Sequence, residues 1–451
     1  MSRETTASDS TEKGDPTGQS GNTRRRFLKS VAVSTGAVSI AGCTGQFGGG
    51  GGAEPIKIGT LYDNSGPMGF VGKGKDAATK MWLEEQNHTL LDREVEWIDY
   101  NPAGDNTKYK NLTRKLIQQD DVDMIFGALL SSNREALRPI VDENKQLFSY
   151  NDWYEGGVCD EFMVLNTTLT SQQRPLIDFM VENFGSDYYA LVADYNYGRV
   201  SNRYARHYAQ ENGAEPVGEE FIPLEVSEFG STINRIKEED PDWILSLLVG
   251  SSQLSFFKQA ESAGVDLPYG SLANIAGTYE HVKFEPPVMS DTYSCFSYFQ
   301  EIPTERNRQF VQKFQENNPD YTKENGGYVF LSIADAWNAI RFYWKAVEKA
   351  GTVDQQEVLA AYEDGLELES PKGTITFNGE THHATQNMWL AKVNDDHSIT
   401  FLDQGGNETD QPIAENVQTS EWFRNQCNLV EDSTWDDPKT EYLTPDEGDL
   451  A

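Results

Sequence analysis

Short apolar runs alternate with longer amphipathic stretches along most of this chain. From residue 54 onward, the amphipathic stretches place apolar residues three and four positions apart, as on one face of a helix, and the short runs between them suit strands. Residues 124–130 (MIFGALL) are apolar throughout, which is typical of a strand buried on both faces of a parallel sheet. The pattern therefore predicts an α/β protein.

Two successive series of strands and helices are predicted, followed by two long helices and two strand-like segments. The predicted strands are 56–62, 94–100, 124–130, 146–150, 188–195, 219–224, 243–249, 373–377 and 388–393. The predicted helices are 74–86, 105–119, 133–144, 171–183, 199–212, 229–238, 252–263, 304–317 and 327–350. Each series suits one doubly wound, Rossmann-like lobe.

The expected architecture is two such lobes joined by a multi-strand hinge, with a ligand cleft between them. We expect lobe 1 in residues 54–168 with 296–365, and lobe 2 in 169–295 with 366–425. An acidic, irregular tail is expected at 426–451. The C-terminal strands are expected to return and complete the lobes.

The first 53 residues have the composition of an export signal and a tether. The basic stretch TRRRFLK at 23–29 resembles a twin-arginine signal and precedes a short apolar segment. The sequence IAGC at 40–43 resembles a lipobox, in which Cys43 is lipidated. We therefore expect a signal peptide at 1–42, a glycine-rich tether at 43–53, and a lipid anchor at Cys43 on the extracellular face of the cell membrane.

The charge of the chain is strongly negative. There are 72 acidic residues against 37 basic ones, for a formal net charge of −35. Such a polyanion repels nucleic acid, so nucleic-acid binding is excluded. The acids are spread along the chain in clusters such as 238–240. A solvated acidic surface is one interpretation; we favour adaptation to high salt, in which self-repulsion is screened, and expect a salt-loving archaeon as the source.

The four cysteines show neither a CxxC pair nor the spacing of zinc ligands. Cys295 lies in an apolar run and is expected to be an inert core thiol. Cys159 and Cys427 could pair in an oxidising compartment, but the sequence alone does not decide this. No metal or cofactor is predicted.

Polar and aromatic residues follow three predicted strands, where open α/β sheets bind their ligands. Ser131 and Ser132 precede a helix, so one is expected to cap it and the other to offer a hydroxyl and a backbone N–H to a ligand; capping alone is the alternative. Residues 149–156 (SYNDWYEG) suit a polar ligand or, alternatively, a cluster near the hinge. Tyr195 and Tyr197 alternate, so an extended segment is expected to point them to opposite sides, with one facing the cleft while the other packs.

These motifs resemble the short-chain amide and urea-binding branch of the type I periplasmic binding proteins, within the leucine-binding-like superfamily. The likeness spans residues 56–402. It rests on Tyr150 with Tyr154-Glu155-Gly156, Gln172 with Pro175, Asp194-Tyr195-x-Tyr197-x-Arg199-x-x-Asn202, Ile222-Pro223-Leu224, Val249-Gly250, and Ser370-Pro371-Lys372-Gly373 followed by His382-His383.

The resemblance implies a pocket serine at Ser131 and pocket tyrosines at Tyr150 and Tyr195, with a second cleft tyrosine at Tyr197. Two positions depart from the branch. Leu129 stands where the branch has a pocket tyrosine, which implies a roomier pocket. Asp152 stands where it has a threonine, and a carboxylate there could meet a ligand's ammonium or amide N–H. Asn274 is placed as a further pocket residue, in a stretch longer than the branch has.

Four functions follow from these features. The first is the receptor of an ABC importer, which captures urea or a short-chain amide by cleft closure and delivers it to permease subunits. The second is an amino-acid receptor of the same fold, with Ser131 and Ser132 on the carboxylate and Asp152 on the ammonium. An enzyme is disfavoured because HExxH and G-x-S-x-G motifs are absent from the sequence. The export signal and Cys43 argue against a cytoplasmic ligand-sensing regulator.

Overall fold

The computed structural model of the chain describes residues 54–66, 68–273, 278–432 and 442–446. The predicted signal peptide and the lipidation site Cys43 lie outside the described residues, and so does Asn274. Among the described residues, no helix is both long enough and apolar enough to cross a membrane.

Strands and helices alternate as the hydrophobic pattern predicts. The strands are β1 Ile56–Leu61, β2 Thr89–Leu90, β3 Arg93–Tyr100, β4 Met124–Gly127, β5 Phe148–Tyr150, β6 Met163–Leu165, β7 Asp187–Ala193, β8 Glu215–Ile222, β9 Trp243–Leu247, β10 Tyr269–Ser271, β11 Thr292–Phe296, β12 Glu367–Ser370, β13 Gly373–Asn378, β14 His383–Val393, β15 Ile399–Leu402 and β16 Ala414–Val417.

The helices are α1 Gly69–Glu85, α2 Asn106–Lys115, α3 Ser131–Asn144, α4 Arg174–Phe184, α5 Asn196–Glu211, α6 Gly230–Glu239, α7 Gly250–Ser262, α8 Glu305–Asn317, α9 Pro319–Glu324, α10 Leu331–Ala350, α11 Gln355–Glu363, α12 Glu421–Gln426 and α13 Leu429–Asp432. The strands β2, β6, β10, β11, β12, β15 and β16 are not predicted, because most of them have only two to four residues and show no clear period. The predicted helix at 105–119 is α2 continued by a π-helical turn, Leu116–Asp120.

The sheet has two parallel halves joined through one long strand. Its order is β2-β3-β1-β4-β5-β6-β14-β11-β10-β9-β7-β8. The start of β14 pairs with β6 and β13, and its later residues pair with β11 and β15. One strand therefore belongs to both halves. The predicted α/β fold, with two doubly wound lobes and a multi-strand hinge, is confirmed.

Beyond residue 366, where the boundary between the lobes is predicted, the chain still lies beside the first half. β12 pairs with β13, and β13 pairs with the start of β14. These strands thus lie beside the first half, although residues 366–425 are expected in lobe 2. The reason is that α10 and α11 pack against the first half, so the chain that follows them begins β12 beside that half. Residues 421–426 and 429–432, near or within the expected irregular tail, are helical.

Buried polar contacts tie the hinge together. Lys372, which has no exposed side-chain surface, pairs with Asp335 of α10. Its Nζ also donates to Ser297 Oγ at 2.9 Å and to Gln386 Oε1 at 3.2 Å. Ser297 follows β11 and Gln386 lies in β14, so one ammonium group joins α10 to two segments that connect the halves.

Three of the cysteines lie among the described residues, as one disulfide and one free thiol. Cys159 and Cys427 form a disulfide with a Cα–Cα distance of 6.1 Å. Cys295 is a free, buried thiol, as predicted for the core of the second half. Burial raises its pKa, so the thiol is held in its unreactive, protonated form.

Candidate functional site

A cavity of about 300 Å³ lies between the two halves of the sheet. From the first half, the lining residues are Asp63, Ser65, Met68, Ala103, Gly104, Leu129, Leu130, Ser131, Tyr150 and Trp153. From the second half, they are Tyr195, Tyr197, Leu224, Val249, Gly250 and Ser251. Both sets follow the carboxyl ends of parallel strands, where ligands bind in open α/β sheets. The predicted residues Ser131, Tyr150, Tyr195 and Tyr197 are thus brought together.

Four helices begin at this cavity. They are α1, α3, α5 and α7, and a residue at or next to the start of each lines the wall. The first N–H groups of a helix have no partner within the helix. Their partial positive charge favours an anionic ligand group. The cavity therefore combines largely apolar walls with several electropositive backbone positions.

Ser131 is held by a buried ion pair behind the cavity wall. Its hydroxyl donates to Glu155 Oε2 at 2.7 Å, and Glu155 pairs with Arg134 at 2.5 Å. Neither charged side chain has exposed surface. The guanidinium carbon of Arg134 lies 4.9 Å from the ring centroid of Tyr150, a cation–π distance. The ion pair thus fixes both Ser131 and Tyr150 from behind.

The expected roles of the two serines need correction. Leu130, rather than a serine, flanks the start of α3, and its N–H donates to Asn133 Oδ1 at 2.9 Å. Ser131 is the first helical residue, so its hydroxyl is free to turn toward Glu155. Ser132 is partly buried and is not among the residues that line the cavity.

The tyrosines present their rings more than their hydroxyls. The Tyr150 hydroxyl donates to Leu129 O and the Tyr197 hydroxyl to Leu272 O, each at 2.6 Å. Burial raises the pKa of Tyr150 and of Tyr195, so both phenols stay neutral. The prediction that Tyr195 and Tyr197 face opposite ways is wrong. Both line the cavity, because the chain turns helical at Asn196 and is no longer extended.

Asp152 does not line the cavity and has protein partners. Its Oδ2 is 3.1 Å from Lys75 Nζ, and Ser332 donates to its Oδ1 at 3.0 Å. The side chains of Lys75 and Asp152 are each 1% exposed. Burial raises the pKa of Asp152 to about 6. The expected contact with a ligand ammonium is therefore replaced by an internal ion pair.

Asp63 is the carboxylate that does line the cavity. Its Oδ1 accepts the N–H of Gly104 at 2.7 Å, and burial raises its pKa. Asp63 follows β1, and Gly104 follows β3. Neither residue is predicted from the sequence, although the strand-end rule applied to β1 and β3 selects both. The same rule applied to β8 and β9 selects Leu224 and residues 249–251.

Two halves that wall one cavity with their strand ends define a two-lobed binding protein. Within the described residues, no group of three or more His, Cys, Asp or Glu side chains is placed to hold a metal ion.

Comparison with known sequences agrees with this class. The sequence model of the family described as periplasmic binding protein matches residues 55–398. The chain belongs to this periplasmic binding protein family.

The relatives are distant in sequence, but the similarity extends over most of both chains. The chain is 22% identical over 383 residues to the Leu/Ile/Val-binding protein homolog 6 of Brucella melitensis, covering 81% of this chain and 93% of that protein.

Two solved structures have similar folds. An ABC-transporter solute-binding protein of R. palustris in complex with 4-hydroxybenzoate matches with a TM-score of 0.70 and 19% identity, over 81% of this chain and 98% of that one. A branched-chain amino acid ABC transporter ligand-binding protein of Burkholderia xenovorans matches with a TM-score of 0.67 and 20% identity, over 76% of this chain and 94% of that one.

Proposed function

We propose that this chain is the substrate-binding component of an ABC importer and that its ligand is a small carboxylate with an apolar body. Branched-chain amino acids and benzoates belong to this class. The observation that carries the proposal is the lining of the cavity. Ten of its sixteen lining residues are aliphatic or aromatic, while four helices begin at the same cavity.

The apolar walls support a larger ligand than urea or a short-chain amide. A volume of about 300 Å³ lies at the lower end of the range for pockets that bind small molecules, roughly 300–1,000 Å³. Urea would fill a small part of it and would leave much of the apolar wall, including Tyr195 and Trp153, without contact to the ligand. The amide and urea branch thus stays a prediction with less support than the amino-acid alternative.

The helix ends support a carboxylate on the ligand. The starts of α3, α5 and α7 converge from both halves, and N–H groups at helix starts bind carboxylates. Relatives point the same way, since one is named for leucine, isoleucine and valine and another is in complex with 4-hydroxybenzoate. Asp63 is the candidate partner for an ammonium group, which an amino acid has and a benzoate lacks.

The cellular setting comes from sequence motifs alone. Twin-arginine export directed by residues 1–42, followed by lipidation of Cys43, would hold the folded part of the chain outside the cell. There it would deliver ligand to permease subunits. Capture and delivery require no bond to be broken, so the proposal includes no enzymatic activity.

A thermal-shift screen of the purified chain in concentrated KCl tests the proposal. The probes are leucine, valine, benzoate, 4-hydroxybenzoate, urea and acetamide. A ligand at one hundred times its Kd stabilises the folded state by about 2.7 kcal/mol. We expect leucine, valine or a benzoate to raise Tm, and the smallest amides to leave it unchanged. A shift with urea or acetamide alone would restore the amide interpretation.

Matched variants locate the site and separate the two ligand classes. Tyr195→Ala should remove the shift, while Tyr328→Ala, which alters a different cavity, should retain it. Asp63→Asn should weaken amino-acid binding and spare benzoate binding. An amino acid has an ammonium group for the Asp63 carboxylate to pair with, whereas a benzoate has none. Retention of the shift in Tyr195→Ala would place the ligand elsewhere.

A further inference from the structure

The described C-terminal residues 442–446 contact both halves of the molecule at once. The N–H of Leu443 donates at 2.9 Å to the carbonyl oxygen of Gly157, which lies between β5 and β6 of the first half. The Leu443 carbonyl accepts at 3.0 Å from the hydroxyl of Tyr204, on α5 of the second half. Arg203, also on α5, donates to Thr444 Oγ1 at 3.2 Å.

Tyr442 bridges the two cavity walls through a single oxygen atom. Its hydroxyl oxygen accepts from Arg134 Nη2 at 2.6 Å and from Asn196 Nδ2 at 3.3 Å. Arg134 is the residue that fixes Ser131 through Glu155. Asn196 lies between two tyrosines of the opposite wall. The bridge therefore acts directly behind the residues that face the cavity.

Gly157 provides the space that this segment needs. A Cβ atom at Gly157 would lie 2.7 Å from the Leu443 carbonyl oxygen, whereas a Cβ at Gly156 would meet nothing closer than 3.8 Å. Both glycines have a left-handed backbone, with φ of +82° and +84° respectively. Alanine at either position thus carries a similar backbone cost, and only alanine at Gly157 collides with the C-terminal segment.

The residues that precede this segment lie beyond the region that matches the family, and they attach the segment to the first half. The family match ends at residue 398. The disulfide between Cys159 and Cys427 attaches the later chain to the loop between β5 and β6. Next to it, the Leu429 N–H donates to the Glu380 carbonyl at 2.7 Å. The segment is therefore an addition to the family fold that is fastened to the first half.

We propose that residues 442–446 are an interlobe clasp, and that Tyr442 is a positioning residue that holds the two cavity walls at ligand-binding distance. The segment cannot keep its contacts with both halves when the halves move apart. The clasp thus stabilises the arrangement in which residues of both halves line one cavity. Because a ligand that needs both walls binds this arrangement best, the clasp raises its affinity.

Distance measurements between the halves test the clasp without any ligand. Spin labels at Lys80→Cys on α1 and Glu238→Cys on α6 occupy exposed positions on opposite halves. Gly157→Ala and Tyr442→Phe, each made in the full chain, should give longer or broader distance distributions by pulsed electron paramagnetic resonance. Gly156→Ala and Tyr189→Phe should match the parent. Tyr189 is a suitable control because its hydroxyl bonds Glu220 within the second half.

Each outcome bears on the clasp. Unchanged distributions in both Gly157→Ala and Tyr442→Phe would overturn it, and equal broadening in both glycine variants would assign the effect to backbone strain. A change in Gly157→Ala alone would retain the clasp and remove Tyr442 as its bridge. With leucine or 4-hydroxybenzoate as the calorimetric probe, Tyr442→Phe should bind about tenfold more weakly. Failure of both probes to bind would count against the proposed function and leave the distance result standing.

Discussion

Several buried charges in this protein form ion pairs. The pairs are Arg134 with Glu155, Lys75 with Asp152, Arg138 with Asp160, and Lys372 with Asp335 at the hinge. A lone charge without water is costly, and an ion pair offsets this cost only when both partners are present. Single substitutions at these positions are therefore expected to be far more damaging than substitutions at surface ion pairs.

Lys75→Met should lower the free energy of unfolding by about 3–5 kcal/mol at pH 7, because it leaves the Asp152 carboxylate buried without its cation. The loss should be smaller at pH 5, where Asp152 can take up a proton. Urea denaturation at the two pH values measures both effects. Lys80→Met is the control, since Lys80 pairs with Glu84 at the surface, and it should change stability by less than about 1 kcal/mol. Equal losses in both variants would contradict the buried-pair argument.

Asp76→Asn should flatten the pH dependence of stability between pH 5 and 8. Burial, and then the charge of Asp99, raises the pKa of Asp76 to about 8 in the folded chain. The folded state thus binds more protons than the unfolded state in this window, and stability falls as pH rises, by up to about 1.4 kcal/mol per pH unit. Asparagine resembles the protonated acid and removes the part of this slope that Asp76 contributes.

The control for this measurement is Asp396→Asn. Hydrogen bonds from Ser398 lower the pKa of Asp396, so this carboxyl titrates below the window and the slope should be retained. Denaturant titrations across the pH series give the slopes. The same slope in the parent chain and in Asp76→Asn would contradict the assignment.

At the scale of elements, a local sequence signal sets the start of α2, next to a loop that lines the cavity. Asp105 caps α2, and its Oδ1 accepts the N–H groups of Thr107 and Lys108 at 2.8 and 3.0 Å. The cap stands next to Ala103 and Gly104, which line the cavity. The cap therefore fixes both the start of a helix and the end of a cavity loop.

Asp105→Ala should lower the free energy of unfolding by about 1 kcal/mol, because it leaves N–H groups of the first turn without an acceptor. Asp105→Asn should retain most of the stability, since its amide oxygen can still accept. Chemical denaturation of the three proteins gives the comparison. Equal losses in the alanine and asparagine variants would point to the lost charge, rather than the lost acceptor, as the cause.

Most elements were accessible from the sequence because their signals are local. The apolar run before Gly127 and the amphipathic pattern after Asn133 predict β4 and α3, and the strand-end rule then selects Ser131. Pairing across the sheet carries no such signal. β13 reads as an ordinary short strand and β12 is not predicted, and only the pairing of β12 with β13 and of β13 with β14 shows that both lie beside the first half.

For the whole molecule, the dominant quantity is the net charge of −35. Like charges on a compact body repel one another, and this repulsion weakens as salt shortens the Debye length from about 10 Å at 0.1 M to about 3 Å at 1 M. The C-terminal chain also acts at this scale, because a disulfide fastens it to the first half and residues 442–446 contact both halves.

The Tm should therefore rise as KCl increases from 0.1 M toward the molar range. The charge-reduced variant Glu238→Gln/Glu239→Gln/Asp240→Asn, altered at an exposed acidic cluster, should gain less from the same increase. Calorimetric scans of both proteins across the salt series measure the difference. A Tm that does not respond to KCl in the parent chain would contradict adaptation to high salt.

The sequence by itself determined the α/β alternation and the cavity tyrosines Tyr150 and Tyr195. These depend on residue spacing within one element or at its end, and such spacing is written directly into the chain.

Only the tertiary structure decided which buried polar and charged groups would be neighbours. Lys75 and Asp152 stand 77 positions apart and Arg134 and Tyr442 stand 308 apart, and no local pattern marks them as partners. The path of the chain brought Asp63 to the cavity wall and withdrew Asp152 from it. The physical reason is that hydrophobic periodicity specifies which face is buried, whereas the partner of a buried polar group depends on how distant segments pack.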